Sequence, residues 1–167
     1  MSPPNAALWY HPAITSVPAP APSPPLAPHH PRVLLAVAVG GALGATARWA
    51  VGRLVDAVGS TDGPGAWPWA TLIVNLAGCL VVGAAAVRLR RDTVPWAFVV
   101  TGVLGGFTTF SAFAVELDQL VDTDRPLAAA VYALVSLGGG AAAVALAAAR
   151  AKEADDADRP SAGPVAG

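Results

Sequence analysis

Polar residues are spread unevenly along this chain, and the gaps between them set the first expectation. Four stretches reach the roughly 20 mostly apolar residues that a helix needs to cross a hydrocarbon core about 30 Å thick. They run from about Val33 to Leu54, Trp69 to Val87, Val94 to Leu117, and Pro126 to Ala149. The connections are short and polar: a Ser-Thr-Asp-Gly-Pro-Gly run at 60–65, Arg88 to Asp92, and Asp118 to Arg125. Trp67, Trp69 and Trp96 fall near predicted helix ends, where indole rings favour the headgroup zone. The pattern predicts an all-α membrane protein of four transmembrane helices.

Composition agrees. The 167-residue chain is 54% hydrophobic and 13% charged, against about 25% charged in an ordinary soluble domain. Too little charge remains to coat a water-facing surface, so lipid is the expected solvent. Residues 1–31 form a separate zone dense in proline, expected to be a disordered tail that includes His11, His29 and His30. Residues 32–150 hold the transmembrane domain, and 151–167 read as a second disordered tail. A net charge of −1 gives no reason to expect nucleic acid as a partner. Cys79, the one cysteine, lies in an apolar run and offers neither a disulfide nor a metal cluster.

All four stretches are rich in small residues. Gly40, Gly41 and Gly44 lie in the first, Gly78 and Gly83 in the second, Gly102, Gly105 and Gly106 in the third, and Gly138 to Gly140 in the fourth. Small residues let helix backbones approach where lipid provides no hydrophobic drive for association. Four short helices enclose little volume, so a transport path is more plausible between two subunits than within one.

Polar groups at bilayer depth are costly and need a reason. Asn75 lies near the middle of the second helix, with Thr71 one turn earlier on the same face. A lone Asn has an ordinary explanation as a helix–helix hydrogen bond. The third helix adds Gly105-Gly106-Phe107-Thr108-Thr109-Phe110-Ser111-Ala112-Phe113, a poor helix centre that predicts a break. Freed backbone groups at that depth must face protein, water or an ion. Phe110 and Phe113 share a face; the ordinary reading is packing, yet ring edges carry positive charge that suits an anion. Tyr132 and Ser136 add hydroxyls on one face of the fourth helix.

These donors are neutral, and the one candidate acid of the third helix, Glu116, reads as lying near its end. The absence of a deep carboxylate argues against a proton-coupled carrier. Drug or cation exporters of this size need one in the first helix, and a purely structural partner would not explain the clustered donors. No nucleophile–base pair or metal-ligand set points to an enzyme, so no catalytic residue is expected. N–H and O–H donors with aromatic edges suit a small, strongly hydrated anion.

Here the sequence resembles the Fluc (CrcB) fluoride channel family. The resemblance rests on Gly40 to Arg48, on Thr71 to Asn75 with Gly78, on Gly102 with Gly105 to Phe113, and on Tyr132 with Ser136, within about residues 33–149. It implies an antiparallel dimer, a broken third helix and fluoride pores at the subunit interface. It implies passive export of fluoride across the cell membrane, which relieves its toxicity. Phe110 and Phe113 would line the pore, Asn75 would donate to the ion, and Thr71, Ser111, Tyr132 and Ser136 would belong to the same polar path. Arg48 would sit at the vestibule, with a helix-end residue as its plain alternative. The carbonyls of Gly105 and Thr108 would hold a structural sodium ion. Ala112 and Gly140 depart from the family pattern.

Charge gives the orientation. Arg32, Arg88, Arg90, Arg91, Arg150, Lys152 and Arg159 lie on the side of the termini, against Arg53 and Arg125 on the other. The positive-inside rule then places both termini in the cytoplasm. So strong a bias implies one insertion direction and pairing with an oppositely inserted paralogue; the alternative is a homodimer of mixed orientation.

Overall fold

The computed structural model describes residues 30–59 and 66–158. The tail before residue 30, the loop at 60–65 and the residues after 158 lie outside the described residues. Among the described residues every regular element is helical, and four segments are long and apolar enough to cross a membrane.

Helix α1, Pro31–Val58, starts on proline, which suits the first turn because its missing N–H would be unpaired there anyway. His30 caps it, its Nδ1 accepting from Arg32 N at 3.2 Å. Helix α2, Trp69–Arg88, carries a basic residue at its last position. The third span, Val94–Asp122, is made of pieces. It opens with α3, Val94–Trp96, widens into a π-helix over Ala97–Leu104, and makes one turn as α4, Gly105–Phe107. Helix α5 then covers Phe110–Asp122. Helix α6, Pro126–Ala157, closes the fold after a short connection in which Asp124 takes a left-handed φ of 56°.

The C-terminal boundary expected at Arg150 is therefore corrected. Residues 151–157 are helical, because alanine, lysine and glutamate favour helix and Arg150 pairs with Glu153 one turn on, at 3.9 Å.

Glycine decides how the spans meet. α1 lies along the π-helix and α4, running parallel to them. A Cβ on Gly40 would sit 2.5 Å from the Phe98 carbonyl oxygen, and one on Gly44 would overlap the Val103 carbonyl. From the other side, a Cβ on Gly106 would overlap the Gly41 carbonyl. α2 lies along α6, also parallel, with Gly83 against the Val144 backbone and Gly140 near the Cys79 thiol. α2 is the most enclosed span, with 33% of its apolar window buried against 11% for α1.

The buried cluster joins Leu72, Phe113, Leu120, Ala129 and Tyr132 from α2, α5 and α6. Trp67, Leu76 and Leu117 pack on it, toward the end of the molecule where α1 finishes and α2 begins.

Candidate functional site

Between α4 and α5 the backbone leaves helical values. Thr108 sits at φ −80°, ψ 159° and Thr109 at φ −147°, ψ 126°. Local hydroxyls satisfy part of what this exposes. Thr108 Oγ1 donates to the Leu104 carbonyl at 2.8 Å, and Thr109 caps α5 by accepting from Ala112 N at 3.2 Å. The rest comes from α2. Asn75 Nδ2 donates to the Thr109 carbonyl and Asn75 Oδ1 accepts from Thr109 N, each at 2.9 Å. One side chain thus serves both backbone groups of Thr109, and Nδ2 keeps a second hydrogen for another acceptor. Gly78, one turn along α2, makes room for the Thr108 methyl group.

In an unbroken helix Thr109 N–H would reach the Gly105 carbonyl. Its diversion to Asn75 removes that donor, and the Thr108 carbonyl accepts no backbone hydrogen bond among the described residues. Two carbonyl oxygens beside the break are thereby left for another partner. They are hard oxygen donors of the kind that suits alkali and alkaline-earth cations. Among the described residues no group of three His, Cys, Asp or Glu side chains gathers to hold a metal.

A groove of about 300 Å³ opens beside the break, lined by Asn75, Thr108, Thr109, Phe110, Phe113, Ser136 and neighbouring apolar groups. Phe110 is 76% exposed, whereas Phe113 is buried. Their ring centroids are 5.8 Å apart, and Phe113 lies 5.2 Å from the Tyr132 ring. Among the described residues Ser136 Oγ and Trp67 Nε1 are buried without a hydrogen-bond partner, and the Trp67 ring meets Tyr132 edge-on at 5.8 Å. A second cavity of about 190 Å³ lies on the other side of Thr109, lined by Arg48, Gly52, Thr71, Val74 and Ala112 among others. Arg48 forms no hydrogen bond or ion pair among the described residues, and α1 continues past it to Val58. The alternative of a helix-end residue paired with carbonyls does not match that placement.

Thr71 and Tyr132 meet at a residue given no role above. Thr71 Oγ1 donates to Glu116 Oε1 at 2.6 Å, and Tyr132 OH donates to Glu116 Oε2 at 2.7 Å. Glu116 lies toward the end of the third span as expected, but that end is at Asp122, six residues on, and the carboxylate is partly buried. The signal was present in its spacing, three residues after Phe113 on the same helical face. Ser111 is exposed, its hydroxyl 3.2 Å from Thr109 Oγ1.

The structure thus gathers Asn75, Thr108, Phe110, Phe113 and Ser136 at one groove. It places Thr71 and Tyr132 around Glu116, and Arg48 in the cavity that Thr71 shares. Fold and site define a multi-pass, all-helical membrane protein with a groove of phenyl rings and neutral donors. Residues 35–148 match the family described as CrcB-like protein, Camphor Resistance (CrcB), and the chain belongs to that family.

Among its relatives is the fluoride-specific ion channel FluC 2 of Rhodococcus jostii (strain RHA1), 44% identical over 111 residues, or 66% of this chain and 90% of the relative. FluC 1 of Halobacterium salinarum (strain ATCC 700922 / JCM 11081 / NRC-1) is 46% identical over 111 residues, covering 66% and 87%. FluC of Bordetella petrii (strain ATCC BAA-461 / DSM 12804 / CCUG 43448) is 44% identical over 120 residues, covering 70% and 88%. All three are named as ion channels rather than enzymes.

Proposed function

We propose that this chain is a passive fluoride channel, exporting fluoride across the cell membrane and lowering its toxicity inside. The observation that carries the reading is the groove in which Phe110 and Phe113 stand beside Asn75 and Ser136. Ring edges and N–H or O–H donors can replace the water of a small anion while leaving it free to move on. The names of the relatives support the choice of fluoride.

The channel works as an antiparallel dimer. An aromatic ring as exposed as Phe110 on a groove wall supports a second subunit completing the pore there. The interruption of the third span at Thr108–Thr109 supplies the Gly105 and Thr108 carbonyls for a structural sodium ion. Both termini face the cytoplasm, and the basic bias favours an oppositely inserted paralogue as partner.

Each residue then has a task. Arg48 attracts the anion into the vestibule, Asn75 offers its remaining N–H, and the Phe110 and Phe113 edges carry the ion past. Thr71, Ser111, Tyr132 and Ser136 extend the donor path. Thr71 and Tyr132 have one hydroxyl hydrogen each, and both point at Glu116. An anion using those donors takes them from the carboxylate, so Glu116 competes with the passing ion and keeps its binding weak.

The test is fluoride release from liposomes holding the purified chain, followed with a fluoride electrode. Release well above that of empty liposomes supports the reading. If the chain alone is silent, it is reconstituted with an oppositely inserted relative that is itself inactive alone; silence there too overturns it.

A further inference from the structure

The turn that joins α2 to the third span carries charge that nothing above uses. Arg88, Arg90 and Arg91 are exposed, and none of them forms an ion pair among the described residues, although Asp92 stands in the same turn. The turn is nevertheless well fixed. Leu89 N donates to the Ala85 carbonyl at 2.8 Å and closes α2. Thr93 Oγ1 donates to the Arg90 carbonyl at 2.6 Å and accepts from Trp96 N at 3.4 Å. Asp92 takes a left-handed φ of 61°, and Ala97 N donates back to the Thr93 carbonyl at 3.0 Å. The Arg91 guanidinium lies over the Trp96 ring, 5.2 Å from its centroid.

We propose that the turn Arg88–Trp96 is a binding site for the phosphate headgroup of an anionic phospholipid. Its depth comes first. The 20 residues of α2 span about 30 Å, the thickness of the hydrocarbon core, so Arg88 at the last position stands at the headgroup boundary. Trp96 is the residue type that prefers the same zone. The chemistry comes second. A guanidinium over an indole ring, as Arg91 lies over Trp96, still has N–H donors to offer, and its planar fork matches two phosphate oxygens at once. Three uncompensated cations attract a lipid of net negative charge and repel the ammonium of a zwitterionic one.

The other charges at this end favour the same turn. Arg150 stands near the level of Arg88, because α6 runs parallel to α2 with Val144 beside Gly83. Arg150 is already 3.9 Å from Glu153, and Asp155, Asp156 and Asp158 follow it along α6. The α2–α3 turn is thus where unpaired positive charge concentrates.

Native mass spectrometry of the detergent-purified chain tests this with phosphatidylglycerol and phosphatidylethanolamine of identical acyl chains. Phosphatidylglycerol is expected to bind in preference, and each arginine replaced in Arg90→Ala and Arg91→Ala is expected to weaken it about fivefold, the factor equivalent to about 1 kcal/mol per basic side chain. Arg91→Lys keeps the charge but loses the planar fork that takes two phosphate oxygens at once, so it is expected to weaken binding too. Arg53→Ala, at the opposite end, leaves it unchanged. Equal binding of the two lipids, or wild-type binding by Arg91→Lys, overturns the proposal. Displacement of the lipid by millimolar inorganic phosphate overturns it as well, since the occupant would then be the free ion.

Discussion

Asn75 and Thr109 meet through two hydrogen bonds of 2.9 Å, one side-chain amide pairing with both backbone groups of a residue where the third span leaves helical geometry. A strand neighbour would supply the same pair of bonds. Backbone freed at bilayer depth must find its partners in the protein or in a water-filled cavity, and here Asn75 provides both partners.

Asn75→Ala leaves the N–H and C=O of Thr109 without partners. A buried unsatisfied polar group costs about 1–3 kcal/mol, so the variant should melt clearly below wild type in detergent. Asn75→Asp keeps the acceptor but turns a carboxylate oxygen toward the Thr109 carbonyl, and it should melt lower too. A melting curve for Asn75→Ala that overlays the wild type would show that the pair does not hold this segment.

Glu116 ties α2 to α6 through Thr71 and Tyr132. Thr71→Val and Tyr132→Phe should each destabilise the protein, and each should cost far less in a Glu116→Ala background. The coupling read from such a cycle should be about 0.5–2 kcal/mol, as for contacting residues in membrane helices. Additive effects would separate the hydroxyls from the carboxylate.

The glycine contacts predict a sharp contrast between positions. Gly106→Ala places a methyl group against the Gly41 backbone, which cannot turn aside, so the yield of folded protein should fall steeply. Gly138 has open space where its Cβ would be, and Gly138→Ala should behave as wild type. Size-exclusion profiles of the two variants make the comparison; equal profiles would mean that α1 is not packed on α4 as described.

The Gly105 and Thr108 carbonyls give a further expectation. If they hold sodium, the melting temperature should rise with sodium concentration at constant ionic strength, as for any ligand that binds only the folded state. No rise on exchange of choline for sodium would remove the ion from this place.

The four spans were legible in the sequence because membrane thickness sets a length that apolar stretches either meet or miss. So were the groove residues Asn75, Phe110, Phe113 and Ser136, since polar and aromatic groups beside a glycine-rich run stand out from apolar neighbours. The partner of Asn75 was not legible, because it is a peptide group and every residue has one. The end of the third span, expected at Leu117 and found at Asp122, was missed for a different reason. Asp118 and Gln119 read as a helix end, yet both lie on an exposed face of α5 and the helix passes through them. The π-helix at Ala97–Leu104 has no local signature either. Such a widened helix persists where tertiary contact outweighs its poorer hydrogen bonding, and here the α1 backbone lies against Gly102. The helical stretch 151–157 was hidden by its charges, which suit a helix that continues beyond the membrane.

The most direct test of the channel reading compares wild type and Phe110→Ile in fluoride-loaded liposomes, with the dimer of each checked by size exclusion. The replacement keeps the position apolar but removes the ring edge from the groove wall. The account predicts rapid release by wild type, alone or with its partner, and release cut at least about tenfold, equivalent to about 1.4 kcal/mol of lost ion stabilisation, by an intact Phe110→Ile dimer. Undiminished release by that variant would take Phe110 out of the ion's path and contradict the account.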